Sequence, residues 1–164
     1  MQQSWRGSAP TEIEAMHPSK LKPKGFSLIE LLVVVAVVLI LAAIAVPNLL
    51  RARRAANEAS SVASLRAIAS GQMVYRHTQG TYTTLAGLGS ESVIDSVLAS
   101  GSKSGYVFES DAGTDPSLEF TADAQPAVSS GIGASGTRFY FVSEDQVIRF
   151  NVGAPADSTS SPLR

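Results

Sequence analysis

Hydrophobic and polar positions divide this chain into three regimes. From Phe26 to Val46 there are 21 residues, and only Ser27 and Glu30 among them are polar. At 1.5 Å per residue a helix of that length runs about 31 Å, enough to span the hydrocarbon core of a bilayer. From Asn48 to about Thr78 the pattern changes. Ala55, Ala59, Val62, Leu65, Ile68/Ala69 and Val74/Tyr75 recur at steps of three and four, which predicts an amphipathic helix. Arg54, Asn57, Glu58, Ser61 and Ser64 fall on the opposite face, read as solvent-facing, with Arg54 and Glu58 at an i, i+4 spacing worth a few tenths of a kcal/mol. Pro47 joins the two segments. It removes one backbone donor and clashes with the carbonyl of Ala43, so a kink is expected there. Gly71 inside the second segment costs roughly 1 kcal/mol relative to alanine, and Gly80 is placed to end the helix. Together the segments make a spine of about 50 residues, roughly 75–80 Å long, whose outer apolar stripe is expected to pack on a sheet.

After Gly80 the period shortens. Thr81–Leu88 is turn-rich, and Ser90 or Ser92 is the expected cap of a short helix running to about Ala99. Ser104–Glu109 alternates and reads as a strand, and Leu118–Thr121 is a weaker second candidate. Thr137–Ser143, the acidic pair Glu144-Asp145 and Gln146–Asn151 read as a hairpin with a short turn. A Gly/Ser-rich loop, Ser129–Gly136, precedes that hairpin. The Pro/Ser-rich segment 153–164 reads as a flexible tail. The expected fold class is therefore α+β: a long N-terminal helix, membrane-spanning in its first half, packed against a small antiparallel sheet. The expected divisions are 1–25, 26–47 for the membrane helix, 48–80 for its amphipathic continuation, 81–152 for the head and 153–164 for the tail.

Composition narrows the chemistry. The 164-residue chain has a formal net charge of −1 and no cysteine. Disulfides, thiol nucleophiles and thiolate zinc sites are excluded. His17 and His77 are the only histidines, too few for a multi-histidine metal site. A nucleic-acid surface, which would be strongly basic, is not expected. Asp111, Asp115, Glu119 and Asp123 are spaced by four, but Gly113 and Pro116 break any helix that would align them, so they read as a solvated loop with a calcium site as the alternative. No Gly-x-Ser-x-Gly motif is present and His77 has no designated partner, so no catalytic residue and no cofactor are expected.

The beginning of the apolar run carries the most specific signal. Lys20, Lys22 and Lys24 lead to Gly25, and the run then starts abruptly at Phe26 with a carboxylate, Glu30, four residues on. A charge inside a membrane segment costs at least ~2.5 kcal/mol, so it calls for a function. The run Lys24-Gly25-Phe26-Ser27-Leu28-Ile29-Glu30-Leu31-Leu32, the apolar stretch and Val46-Pro47-Asn48 resemble the type IV pilins and the pseudopilins of type II secretion. That resemblance implies cleavage between Gly25 and Phe26 by a prepilin peptidase, N-methylation of Phe26, and packing of the helix into a filament. The implied partners are other copies of the chain, the peptidase, an inner-membrane assembly platform and membrane lipid. The implied location is the inner membrane for a single-pass precursor with residues 1–25 cytoplasmic, then an extracellular or periplasmic filament.

Glu30 has a physical role under that reading. Cleavage creates an amine at Phe26, and a carboxylate one helical turn away can neutralise it or the amine of a neighbouring subunit. A protonated Glu30 near the interface is the alternative. Family members often unwind between a mid-segment glycine and the proline; here Leu39 stands at that place, and no glycine occurs from Phe26 to Ser70. Three competing readings remain at the level of sequence. One is an ordinary signal peptide or anchor, for which Ala43-Ile44-Ala45 offers a cleavage site, although the apolar run exceeds the usual ~7–15 residues of a signal core. Another is a major pseudopilin, whose Asp-Pro-Trp-Gly-type segment is not found here; the sole tryptophan is Trp5. The last is a membrane-anchored periplasmic binding module.

Overall fold

The computed structural model describes residues 25–163, so residues 1–24, with Trp5, His17 and the three lysines, lie outside the described residues. The chain divides into two units, one ending at Leu39 and the other starting at Ile40. A single helix, α1 (Leu28–Gln79), supplies the described helical residues of the first and opens the second. It contains Pro47, and it stops where Gly80 takes φ 80°, a left-handed conformation that glycine adopts without a Cβ penalty.

Two short helices follow. In α2 (Leu85–Ser90) the Thr84 side chain accepts from the Gly87 N–H, and in α3 (Ser96–Ala99) the Asp95 carboxylate accepts from Leu98 N–H at 2.9 Å. The caps are thus Thr84 and Asp95. The expected caps, Ser90 and Ser92, lie at the end of α2 and in the turn after it, and Ser92 adopts φ 55°. One helix reaching Ala99 is replaced by two because Thr84 and Asp95 each place a short side-chain acceptor at the N-terminus of its own helix.

The sheet is an antiparallel meander of six strands in sequence order: β1 (Ser102–Lys103), β2 (Tyr106–Ala112), β3 (Phe120–Pro126), β4 (Arg138–Ser143), β5 (Arg149–Val152) and β6 (Ser161–Pro162). β2 alternates buried and exposed positions. Tyr106, Phe108 and Ser110 face inward with Phe120, Ala122 and Ala124 of β3 and Tyr140 and Val142 of β4. These side chains form one core with Val62, Leu65, Ile68 and Ala69 of α1 and with Leu85, Leu88, Ile94 and Leu98. This is the α+β architecture read from the sequence.

The last segment departs from expectation. Residues 153–163 are fixed against the sheet: β6 pairs with β5 through Arg149↔Pro162 and Phe150↔Ser161, and Leu163 N–H donates to Ile148 O at 2.8 Å. Asp157 accepts from Thr159 N–H at 2.9 Å and closes a turn. Ala156 buries itself against Phe139 and Phe141, which project from the other face of β4. That second apolar face is the physical reason. Phe139 and Phe141 alternate with Tyr140 and Val142, so β4 needs cover on both sides, and the Pro/Ser-rich segment supplies it.

Candidate functional site

The N-terminal unit places its predicted residues simply. Gly25, Phe26 and Ser27 precede α1, and Phe26 is 82% exposed. The ladder begins with Leu31 N–H donating to Ser27 O at 3.2 Å. Glu30 lies in the first turn, where a carboxylate interacts favourably with the positive end of the helix dipole. Leu31, Leu32, Val33, Val34, Val35, Val37, Val38 and Leu39 are exposed, and so are Ile40, Leu41, Ile44 and Val46. Apolar side chains all round a helix demand lipid or other apolar helices as their surroundings. Among the described residues α1 is the one helix long and apolar enough to cross a membrane.

In the second unit α1 meets the head through a face whose first part is polar. Arg54 donates from Nε to Ala134 O at 3.2 Å and from Nη2 to Gly131 O at 2.7 Å. Asn57 Nδ2 donates to Ser135 O at 2.9 Å. Glu58 Oε1 accepts from Thr137 N–H at 2.9 Å and from its hydroxyl at 3.0 Å, and Glu58 Oε2 lies 3.9 Å from Arg138 Nε. Ser61 and Ser64 are buried. Residues assigned above to solvent thus also face the head, beside Val62, Leu65, Ile68 and Ala69 of the expected apolar stripe, whereas Ala55 and Ala59 of that stripe are exposed, as is Val74 further along. The expected Arg54–Glu58 pair does not form, because each side chain turns to the β3–β4 loop or the start of β4. Positions 54, 57/58, 61, 64/65, 68 and 72 step by three and four, so the stripe is regular in geometry and changes chemistry along its length.

Gln72 is the residue that the sequence reading missed. It is fully buried, donates to Ser110 Oγ at 2.9 Å and to Thr83 O, and accepts from Thr83 N–H at 3.0 Å. Its place three or four residues after Ile68 and Ala69 was the available signal, masked by its polarity. Gly71 beside it is a packing residue: a Cβ there would stand 3.2 Å from Ile94 Cγ2 and Val93 Cγ1. The glycine that weakens the helix locally is thus what lets the segment after α2 approach α1.

The prokaryotic N-terminal methylation motif matches residues 20–46. The type IV wide pilus major component PilA4 of Thermus thermophilus is similar, 46% identical over 61 residues, which is 37% of this chain. The matched region spans 47% of that relative's length. Over its N-terminal region the chain is therefore similar to a type IV pilin and carries the methylation motif.

The electrostatics of the head concentrate on the outer face of the sheet. Glu109 of β2 stands directly opposite Asp123 of β3, with Asp111 two residues along. Burial, then the Glu109 and Asp111 charges, push the Asp123 carboxyl up to about 6. Elsewhere carboxylates are held below their ordinary range: Asp95 by the Leu98 N–H and Lys103, Asp145 chiefly by Arg149, Asp115 by Ser117, and Asp157 by Thr159. Asp115 thus closes its own turn, and among the described residues no group of three His, Asp or Glu is placed to hold a metal ion.

A pH dependence follows. The folded chain binds the Asp123 proton more tightly than the unfolded chain, whose value is near 3.8, so stability falls as pH rises from about 4 to about 6. The depressed carboxylates act in the opposite sense, but below about pH 4, outside that window. Asp123→Asn is expected to raise the melting temperature at pH 8 and leave it nearly unchanged at pH 4. Melting curves of both chains across that range check this, and a constant difference between them would contradict it.

Proposed function

We propose that this chain is a structural subunit of a type IV pilus-like filament. It is made as a membrane-held precursor, cut after Gly25, methylated at the Phe26 amine and polymerised through the first half of α1. The observation that carries the reading is a conjunction: the methylation motif over residues 20–46 covers the same helix whose apolar side chains are exposed on every side. A surface of that kind is satisfied by lipid before assembly and by neighbouring copies afterwards. Because it is not self-covering in a closed pair, repeated head-to-tail packing grows a fibre. Glu30 offsets the Phe26 amine and sets the axial register, and Pro47 loosens the helix where it leaves the apolar run. The partners are further copies of the chain, the prepilin peptidase and an inner-membrane assembly platform, and the role involves no catalysis.

Likeness to a wide pilus component favours a pilus over a secretion pseudopilus. The test is mechanical shearing of cells. The chain is expected in the sheared filament fraction, and its deletion is expected to remove those filaments without blocking protein secretion. Intact filaments with blocked secretion would support the pseudopilin reading instead.

A further inference from the structure

The β3–β4 loop is held at one particular level of α1. Arg54 grips the carbonyls of Gly131, Ile132 and Ala134, and Asn57 grips Ser135. Side chains on a helix lean toward its N-terminus, so the Arg54 guanidinium reaches back toward Val46, and the loop tip it holds lies on that side. A cavity of about 230 Å³ there is lined by Leu50, Arg53, Asn57, Ser104, Gly133 and Ser135. Leu50 is only four residues, about 6 Å, beyond the end of the apolar run, and Arg54 about 12 Å. The headgroup layer on one side of a bilayer is roughly 5–8 Å thick. Arg54 itself therefore lies just past the headgroup layer, and its side chain, leaning back toward Val46, carries the loop it holds toward that layer when the run is in a membrane. At that tip Ile132 is 82% exposed, while Arg51 and Arg53 make no ion pair among the described residues.

We infer that this corner of the head is a seat for an anionic phospholipid. Ile132 enters the outer headgroup layer, and Arg53, with the Ser104 and Ser135 hydroxyls beside it, faces the headgroup phosphate. The apolar run fixes the height, the Arg54 grip fixes the loop, and an exposed isoleucine flanked by arginines is the chemistry of an interfacial anchor. The inference rests on the membrane-held precursor proposed above. In that state the seat ties the loop to the bilayer surface, and extraction into a filament must break that tie.

The chain has no cysteine, so a single introduced thiol reports on one place. The full chain carrying Ile132→Cys, labelled with an environment-sensitive fluorophore, is placed in vesicles of phosphatidylcholine with or without phosphatidylglycerol. Nitroxide lipids quench either at headgroup or at deep acyl level. Val37→Cys reports the spanning segment and Leu118→Cys the exposed β2–β3 loop. Headgroup quenching at position 132 is expected to exceed that at 118 several-fold, to increase with phosphatidylglycerol, and to lose that increase when Arg53→Glu is added. Equal quenching at 132 and 118, with deep quenching at 37 intact, would overturn the seat alone. An unquenched position 37 would overturn the membrane reading and the seat with it. A blue shift at 132 that grows with protein-to-lipid ratio and shows no headgroup quenching would overturn it in favour of a second copy of the chain.

Discussion

Glu30→Gln is expected to impair filament assembly severely and to leave the chain in the membrane fraction. The substitution changes volume hardly at all and removes the one charge between Phe26 and Val46. Insertion should tolerate it, because an amide is easier to bury than a carboxylate. Assembly should not, because the methylated Phe26 amine then enters a water-poor packing of apolar helices without a counter-charge. Breaking a buried pair by removing one partner typically costs about 3–5 kcal/mol, which is a factor of roughly 10²–10⁴ in each subunit's addition equilibrium. A filament multiplies that loss along its length. Immunoblots of sheared and membrane fractions read the result, and a normal filament yield from Glu30→Gln would sink the pairing argument while leaving the fold untouched.

Gln72→Leu is expected to destabilise the head by about 2–4 kcal/mol although it adds an apolar side chain to an apolar core. Its amide joins three partners on two elements: both backbone groups of Thr83, where the chain returns from α1 toward α2, and the Ser110 hydroxyl on β2. Leucine satisfies none of them, and each buried donor or acceptor left without a partner costs about 1–3 kcal/mol, less where water reaches half-buried Thr83. For a head of this size each kcal/mol moves the melting temperature by about 4–8 °C, so a fall of roughly 10–30 °C is expected for the detergent-solubilised chain. A melting temperature within a degree or two of the unsubstituted chain would show that the bracket between α1 and Thr83 contributes nothing.

These two residues mark the limits of reading this chain from sequence. Glu30 stands out in the sequence because one carboxylate in an otherwise apolar run has no packing role of its own. Gln72 does not, because a glutamine in an alanine- and serine-rich helix reads as surface until Thr83 and Ser110 are seen around it. The same bias misassigned the start of the contact face. Arg54, Asn57 and Glu58 look solvated by composition, yet their partners are main-chain groups and hydroxyls of the β3–β4 loop and β4, over seventy residues away in sequence. Local periodicity cannot announce a polar interface of that kind. Strands β2, β4 and β5 were legible from aromatic and β-branched alternation. β1 and β6, two residues each, carry no periodicity, and the segment leading to β6 covers Phe139 and Phe141 with Ala156.

The central claim is that the chain is cut at one bond and enters a filament by the segment so exposed. Mass analysis of the N-terminal peptide from sheared filaments tests it most directly. The expected result is a peptide beginning at N-methyl-Phe26, absent from cells carrying Gly25→Val, in which a β-branched side chain hinders the extended approach of a peptidase to the bond. A mature chain beginning at Val46, after Ala43-Ile44-Ala45, would contradict the account, because it would discard Glu30 and the apolar half of α1 on which assembly depends.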